Sequence, residues 1–564
     1  MGTATTASVQ GQYDVSPTLL SKSLATASSL MALQFLSRIV TFLLNQSLVR
    51  LATPAVFGTA SIQFELLLST ILFLSREGIR NALLRAPDTS HTSASSQSIT
   101  NISLLPTILG MPITAICAAG YVHASSQSTN SQPHFTISVV LYALAAMLEL
   151  LSEPLYIRAQ NEMKFGVRVK AEGTAVIIKA VSTLLVLLLA GQDWALAAFA
   201  MGQMVYSIVI LSAFMRAYPG KTQLIPKKVK EQVRGNVRAY YFEPVLMRLS
   251  MAMTAQSVAK HFLTDGDKLI LSRISSLENQ GGYAVASNYG SLVARIVFQP
   301  IEETSRLFFS KTLMAEPHEP QSDTKADTID RHAESPKTSP LALKSASTVL
   351  HTLLLLDTHI AVLLLAFVPP YLPFLLSIVL PRHYLLHTAA PRILQVYLSV
   401  YLPVMAFNGV LEAFLSSVAT PHDLRRQSTW LVGFSATFVC TTWGFTVGLG
   451  WVETGLVWAN ALNLGLRAGY GWMFARSYFA KRSGSSSSFS LRGSVPPMAV
   501  WLVFATSGLV TRLAQPSLTA GWKTNVAHVG VGATCFIACA ATCYFTERRT
   551  FVEAMRTLRQ KKST

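Results

Sequence analysis

Charge is scarce in this chain. Only 13% of its 564 residues are Asp, Glu, Lys or Arg, whereas 51% are hydrophobic; soluble domains carry about 25% charged residues. That excludes a soluble core of this size. Apolar runs of about 18 to 25 residues recur instead, each long enough to cross a hydrocarbon layer about 30 Å thick. Acidic residues are the scarcer sign, 28 against 46 basic, for a formal net charge of +18. Nucleic-acid binding would need that charge gathered on one folded surface. Here it is spread between apolar runs, so no nucleic-acid partner is expected. Cysteine is also sparse: Cys117, Cys440, Cys535, Cys539 and Cys543 lie mostly inside apolar runs, without a CxxC pair or a His-rich neighbour. Disulfide and metal chemistry are therefore not expected. The last three recur every fourth residue on one helical face, as small packing residues do, with palmitoylation near Cys543 as the alternative.

Several catalytic signatures are missing. Gly220-Lys221-Thr222 looks like the end of a phosphate-binding loop, but the first glycine of that loop would stand at Met215, so no ATP site follows. His383 and His387 have helical spacing but lack the glutamate of a zinc-protease helix. The connection 51–55 is too short for the acidic pair of a polytopic glycosyltransferase. No cofactor is expected. The sequons at Asn45 and Asn101 fall in or beside apolar runs and are expected to be unused. The polar start of the chain lacks the pattern of a cleaved signal peptide, which leaves insertion to the first span.

Apolar windows place spans near 27–50, 57–76, 101–122, 136–157, 171–190 and 194–215, then 250–274, 282–310, 345–369, 391–417, 428–450, 453–475, 495–513 and 525–545. The expectation is an all-α polytopic membrane protein of about fourteen transmembrane helices. Two six-helix bundles, 26–217 and 249–480, would flank a central cavity, and 494–546 would add two helices. A polar N-terminus (1–25), a basic amphipathic connector (218–248), a flexible linker (481–493) and a basic tail (547–564) complete the plan. The connector's mixture of basic and aromatic residues suits an amphipathic helix on an anionic leaflet. The insertion 315–340, rich in Pro, Ser, Thr, Asp and Glu, is expected to be disordered. Alternate connections hold roughly five basic residues for each one opposite, so both termini are expected in the cytosol.

Within these spans the charges are the candidates for function, because an intramembrane charge costs roughly 2.5–3.5 kcal/mol on insertion scales and is kept facing a polar interior or a partner. The segment 58–85, GTASIQFELLLSTILFLSREGIRNALLR, carries Glu65 inside an apolar run and closes on Arg76, Glu77 and Arg80. A partial echo begins at Gly282 and closes on Glu303 and Arg306, as parallel repeats would. Arg38, Arg50, Glu65, Arg76, Arg80, Lys260, Arg295 and Arg467 are expected to bind substrate or line its path. Glu77, Asp265, Asp267, Glu302, Glu303 and Arg306 are expected to form gates or ion pairs that hold or switch the bundles. Glu149, Glu153, Lys179, Lys268, Asp357 and Glu412 are further charges in or near spans. The basic bias predicts a net-basic cavity suited to a diphosphate, which arginine engages bidentately. In Lys260–Arg273 the Asp265-Gly266-Asp267 interruption reads either as a mid-membrane site or as a kink.

The blocks ATPAVFG, QFELLLST, LFLSREGIR and ALLR in 52–85, and FLTDGDK, NYGSLVARIVFQPIEE and RLFF in 262–309, closely resemble the Rft family of endoplasmic-reticulum oligosaccharide translocation proteins. That family is itself similar in fold to bacterial lipid-linked oligosaccharide flippases and multidrug exporters. The resemblance implies a multi-pass protein of the endoplasmic-reticulum membrane, not an enzyme, acting as a monomer among membrane lipids. Its cargo would be dolichol-diphosphate-linked oligosaccharide, moved from the cytosolic to the luminal leaflet by alternating access without ATP. An accessory or scaffold role in the same pathway is the alternative, and an exporter of small cations would instead need an acidic cavity.

Overall fold

The computed structural model describes residues 41–84, 93–162, 164–220, 223, 225–233, 236–313, 340–483, 491–517 and 521–560. Arg38, the N-terminus 1–25 and nearly all of the insertion 315–340 lie outside them. Fourteen helical segments answer to the fourteen apolar windows. In chain order they are α1 (41–51), α2 (Pro54–Leu83), α3 (Gln97–Ala124), α4 (Phe135–Asn161), α5 (Gly166–Ala190) and α6 (Gln192–Ala217). There follow α7 (244–274), α8 (277–313), α9 (Pro340–Val379), α10 (Ala390–Val418), α11 (His422–Gly448), α12 (Val452–Ser483), α13 (Met498–Leu513) and α14 (Trp522–Gln560).

Among the described residues nine helices are long and apolar enough to cross a membrane by themselves. The long helices α7, α8 and α12 are more polar, which fits helices that turn a face to the protein interior rather than to lipid. Helix starts follow local chemistry. Thr53 caps α2, its hydroxyl accepting from the Val56 amide, with Pro54 at the first helical position. Ser276 caps α8 through the Asn279 amide, and Thr420 with Asp423 makes a capping box ahead of α11. At Gly191, φ of 78° lets the chain leave α5 in a turn that other residues would resist.

Two bundles result, α1–α6 and α7–α12, and α13 with α14 packs on the outside of α9. There Gly508 lies against Ala366, and Cys539, 1% exposed, donates to Ser507 Oγ at 3.3 Å. The cysteine face is thus a packing face.

At one end the bundles share an apolar core. Leu48, Phe57, Ile62 and Phe199 of the first meet Val285, Leu376, Tyr384 and Val457 of the second. The backbones of α2 and α8 touch there: a Cβ built on Gly281 would sit 2.1 Å from the Pro54 carbonyl oxygen, and one on Gly58 would sit 2.3 Å from that of Leu277. Only glycine permits this approach. Gln63 Nε2 adds a buried hydrogen bond to Gln280 Oε1 at 2.8 Å.

At the opposite end the cores separate by bundle, one around Phe214 and Leu155, the other around Phe309 and Phe414. The N-terminal half of α7 packs on the first bundle there, with Thr254 against Gly78 and Leu246 in that bundle's core. Among the described residues the bundles thus share an apolar core at one end, with a cleft between them toward the other.

The connector after α6 differs from expectation. It forms an antiparallel hairpin, β1 (Val229–Val233) and β2 (Asn236–Tyr240), with Val229 opposite Tyr240. Its valines, Val229, Val233 and Val237, stand four residues apart with charged and amide residues between them, so no period-two strand pattern marks it. Asn101 on α3 fastens it, donating from Nδ2 to the carbonyls of Lys227 and Tyr241 at 2.6 Å each. The amide nitrogen that glycosylation of this sequon would modify is buried and engaged.

Candidate functional site: the central cavity

The cleft encloses a cavity of about 870 Å³, lined from α1, α2, α4–α8, α10 and α12. Helix α2 forms its spine. It widens into π-helical turns at Thr59–Phe64 and Phe73–Glu77, and similar turns occur at Ala294–Phe298 in α8 and Tyr397–Tyr401 in α10. Each of the four contributes side chains to the cavity or its floor, Ser61, Arg76, Arg295 and Tyr401 among them. A π turn adds a residue to the helical repeat and so re-aims the side chains around it, which is why such turns gather at functional walls.

Arg76 reaches α4 across the wall, Nη1 lying 3.2 Å from Glu153 and 3.4 Å from Glu149. Glu149 also accepts from Gln203 at 3.0 Å. Arg80 lies one turn beyond Arg76 and does not line the cavity. Its guanidinium donates to both oxygens of Glu153, the Nε bond at 2.7 Å, and stacks 3.7 Å over the Tyr156 ring. Glu65 faces the cavity and pairs with Lys179 of α5 at 3.4 Å; this pair is more exposed, 47% at the glutamate. Glu77 also lines the cavity and accepts from Asn81 at 3.3 Å.

The interruption in α7 is a junction between bundles. The helix stops at Thr264 and restarts at Gly266. Asp265 lies between, near Lys268 Nζ (3.0 Å) and His261 Nδ1 (3.3 Å), and accepts from Ser69 on α2 at 3.3 Å. Thr70 meets His261 at 2.9 Å. Asp267 points into the cavity, where the Tyr283 hydroxyl donates to it at 3.2 Å.

A match to the Rft protein family spans residues 22–557. The chain belongs to that family. Among similar proteins is the Man(5)GlcNAc(2)-PP-dolichol translocation protein RFT1 of Yarrowia lipolytica, 34% identical over 83% of this chain and 72% of its own length. Those of Saccharomyces cerevisiae and Xenopus tropicalis are each 28% identical, over 84% and 93% of this chain and 85% and 94% of their own lengths. A solved multidrug resistance MATE family transporter of the MOP superfamily, in an inward-facing conformation, aligns with a TM-score of 0.49 and 11% identity over 80% of this chain and 96% of its own.

The cavity of this Rft protein departs from the expected net-basic character. Its charged lining is four cations (Arg76, Lys179, Lys268, Arg295) and four anions (Glu65, Glu77, Glu149, Asp267) among the described residues. Pairing is the physical reason for three of the cations: Arg76 and Lys179 have acidic partners on another helix and Lys268 has Asp265 on its own. Charge balance alone thus does not select an anionic over a cationic cargo.

The other expected residues scatter. Arg50 donates to the Ile378 carbonyl at 3.3 Å outside the cavity, and Arg467 pairs with Glu412 at 3.9 Å within the second bundle. Arg295 lines the cavity and donates to Ser291 at 2.5 Å. Glu302 pairs with Arg306 at 2.8 Å and Glu303 accepts from Gln299 at 3.0 Å, both within α8 rather than between bundles. Lys260 lies in α7, with its side chain outside the described residues.

Sequence reasoning assigned no role in the site to Glu149, Glu153, Lys179 or Lys268, although each is a charge in or beside a span. Nor did it find the aromatic and amide walls, Tyr206, Tyr401, Gln203 and Asn288 among them. Beside the open end, Glu162 in the α4–α5 connection receives Lys164 at 2.8 Å, Arg158 at 3.0 Å and the Tyr218 hydroxyl at 3.1 Å. Lys164 above all, then Arg158 and Tyr218, hold its carboxyl down to about 2.

Proposed function

We propose that this protein moves dolichol-diphosphate-linked oligosaccharide from the cytosolic to the luminal leaflet of the endoplasmic-reticulum membrane, by alternating access and without ATP. The observation that carries the reading is the cavity between two bundles sealed at one end only. The basic connections support a reading in which the open end and both termini face the cytosol. The lipid-linked diphosphate enters there and competes for cations already in the wall. Lys179 is the first to yield, because its pair with Glu65 is the more exposed, whereas Arg76 is held by buried acids on α4. Tyrosine faces and side-chain amides supply surfaces for the sugars. Tightening on the cargo draws the open ends together and parts the glycine contact of α2 with α8.

The test is reconstitution of this chain alone in vesicles with dolichol-diphosphate oligosaccharide. Transbilayer movement faster than in empty vesicles is expected. An unchanged rate would leave the accessory role instead.

A further inference from the structure

Asp357 lies within the long apolar helix α9 and takes no part in the central cavity. It is 1% exposed, and its Oδ2 is buried without a hydrogen-bond partner. It faces a second pocket of about 210 Å³ between α8, α9 and α10. The pocket is mainly apolar, with Phe298, Ile301, Met405 and Val410 on its walls. An ionised, unpaired carboxylate in such surroundings is strongly disfavoured. Something must neutralise it.

The pocket also contains Arg295, which lines the central cavity too and is therefore the wall between them. Arg295 stands on the π turn Ala294–Phe298, where a one-residue shift in helical register would re-aim its side chain. We propose that Asp357 is a proton-binding site, exchanging its proton with the central cavity past Arg295. In one state the carboxylic acid is neutral and Arg295 stays with Ser291. In the other the acid's O–H bond breaks, the proton passes to water in the cavity, and the carboxylate is compensated by the Arg295 guanidinium.

A proton suits the pocket better than a metal cation, because hard cations need a cage of several oxygens. The other carboxylate on its walls, Glu302, is already paired with Arg306. Neighbouring charges are likewise engaged elsewhere. On α10 and α12, Glu412 and Arg467 pair with each other; Glu547 of α14 meets His359 at 2.7 Å; Arg512 of α13 donates to the Leu365 carbonyl at 3.3 Å. Arg295 is the cation on this pocket's own wall, which is what places it to answer Asp357. Only the use of this proton in transport rests on the function proposed above; the site does not.

The test is infrared spectroscopy of the full-length protein in lipid nanodiscs, in choline chloride and without cargo, across a pH titration. A protonated-carboxyl band at neutral pH is expected, lost in Asp357→Asn and moved in frequency but retained in Asp357→Glu. The glutamate variant keeps the test valid where the asparagine one misfolds. Arg295→Gln is expected to move the band's titration midpoint to higher pH. A band indifferent to Asp357 substitution, or a midpoint indifferent to Arg295, overturns the proposal. So does loss of the band when sodium replaces choline at fixed pH, which would make the pocket a sodium site.

Discussion

Glu153 shows how much one buried acid can organise. Its side chain is fully buried, yet it receives Arg76 and Arg80 together, so α2 and α4 are tied by a single carboxylate. Removing one partner of a buried ion pair leaves the other uncompensated, at a cost of about 3–5 kcal/mol. Glu153→Gln is expected to lower stability by that order, read as loss of folded protein in a thermal ramp after detergent extraction. Lys179→Gln should leave stability almost unchanged, since exposed pairs contribute about 0–1 kcal/mol, while slowing cargo movement several-fold in vesicles. Equal thermal losses in the two variants would contradict this division of labour.

Glu162 gives a pH prediction. Its folded value, about 2, lies below the unfolded value of about 4.3. The stabilisation is therefore complete above the unfolded value and disappears as pH falls through the folded one. Hydrogen exchange in the α4–α5 connection should be insensitive to this group between neutral pH and about 5, and should loosen only in stronger acid. Glu162→Gln should abolish the acid step.

At the scale of the helices, the glycine contact between α2 and α8 is the seal. Gly281→Ala places a methyl group 2.1 Å from the Pro54 carbonyl oxygen, closer than atoms tolerate. Overpacking of this kind costs about 1–3 kcal/mol, and here the strain falls on the sealed state. The expected outcome is a population shifted toward separation at that end. A cysteine at Ala52, 1% exposed at the seal, should be alkylated from that side faster in the Gly281→Ala background.

Much of this element structure was legible. Apolar windows fell on the fourteen helical segments, whereas Glu302 and Arg306, expected to hold or switch the bundles, pair within α8 because residues four apart share a helical face. The pairs that build the cavity were not legible. Arg76 and Glu149 are 73 residues apart, and nothing in local periodicity couples them. The same omission produced the expectation of a net-basic cavity, since cations were counted without their distant acids. The hairpin at 229–240 was hidden by composition, and with valines four residues apart no strand periodicity marks it.

At the scale of the whole molecule, the proposed function requires one cleft with two mouths that are never open together. The seal is apolar and shared by both bundles, while at the other end one core joins the first bundle to Leu246 of α7 and the other holds second-bundle residues. In that proposal the hinge is α7, which packs along α2 and breaks at Asp265. The most direct measurement is two-sided accessibility of one cavity residue. Ser61 lines the cavity. A cysteine there, in a background without the five native cysteines, can be probed in oriented vesicles with a membrane-impermeant reagent. Reaction from the cytosolic side alone is expected without cargo, and reaction from the luminal side as well once dolichol-diphosphate oligosaccharide is added. Reactivity confined to one side under both conditions would contradict alternating access.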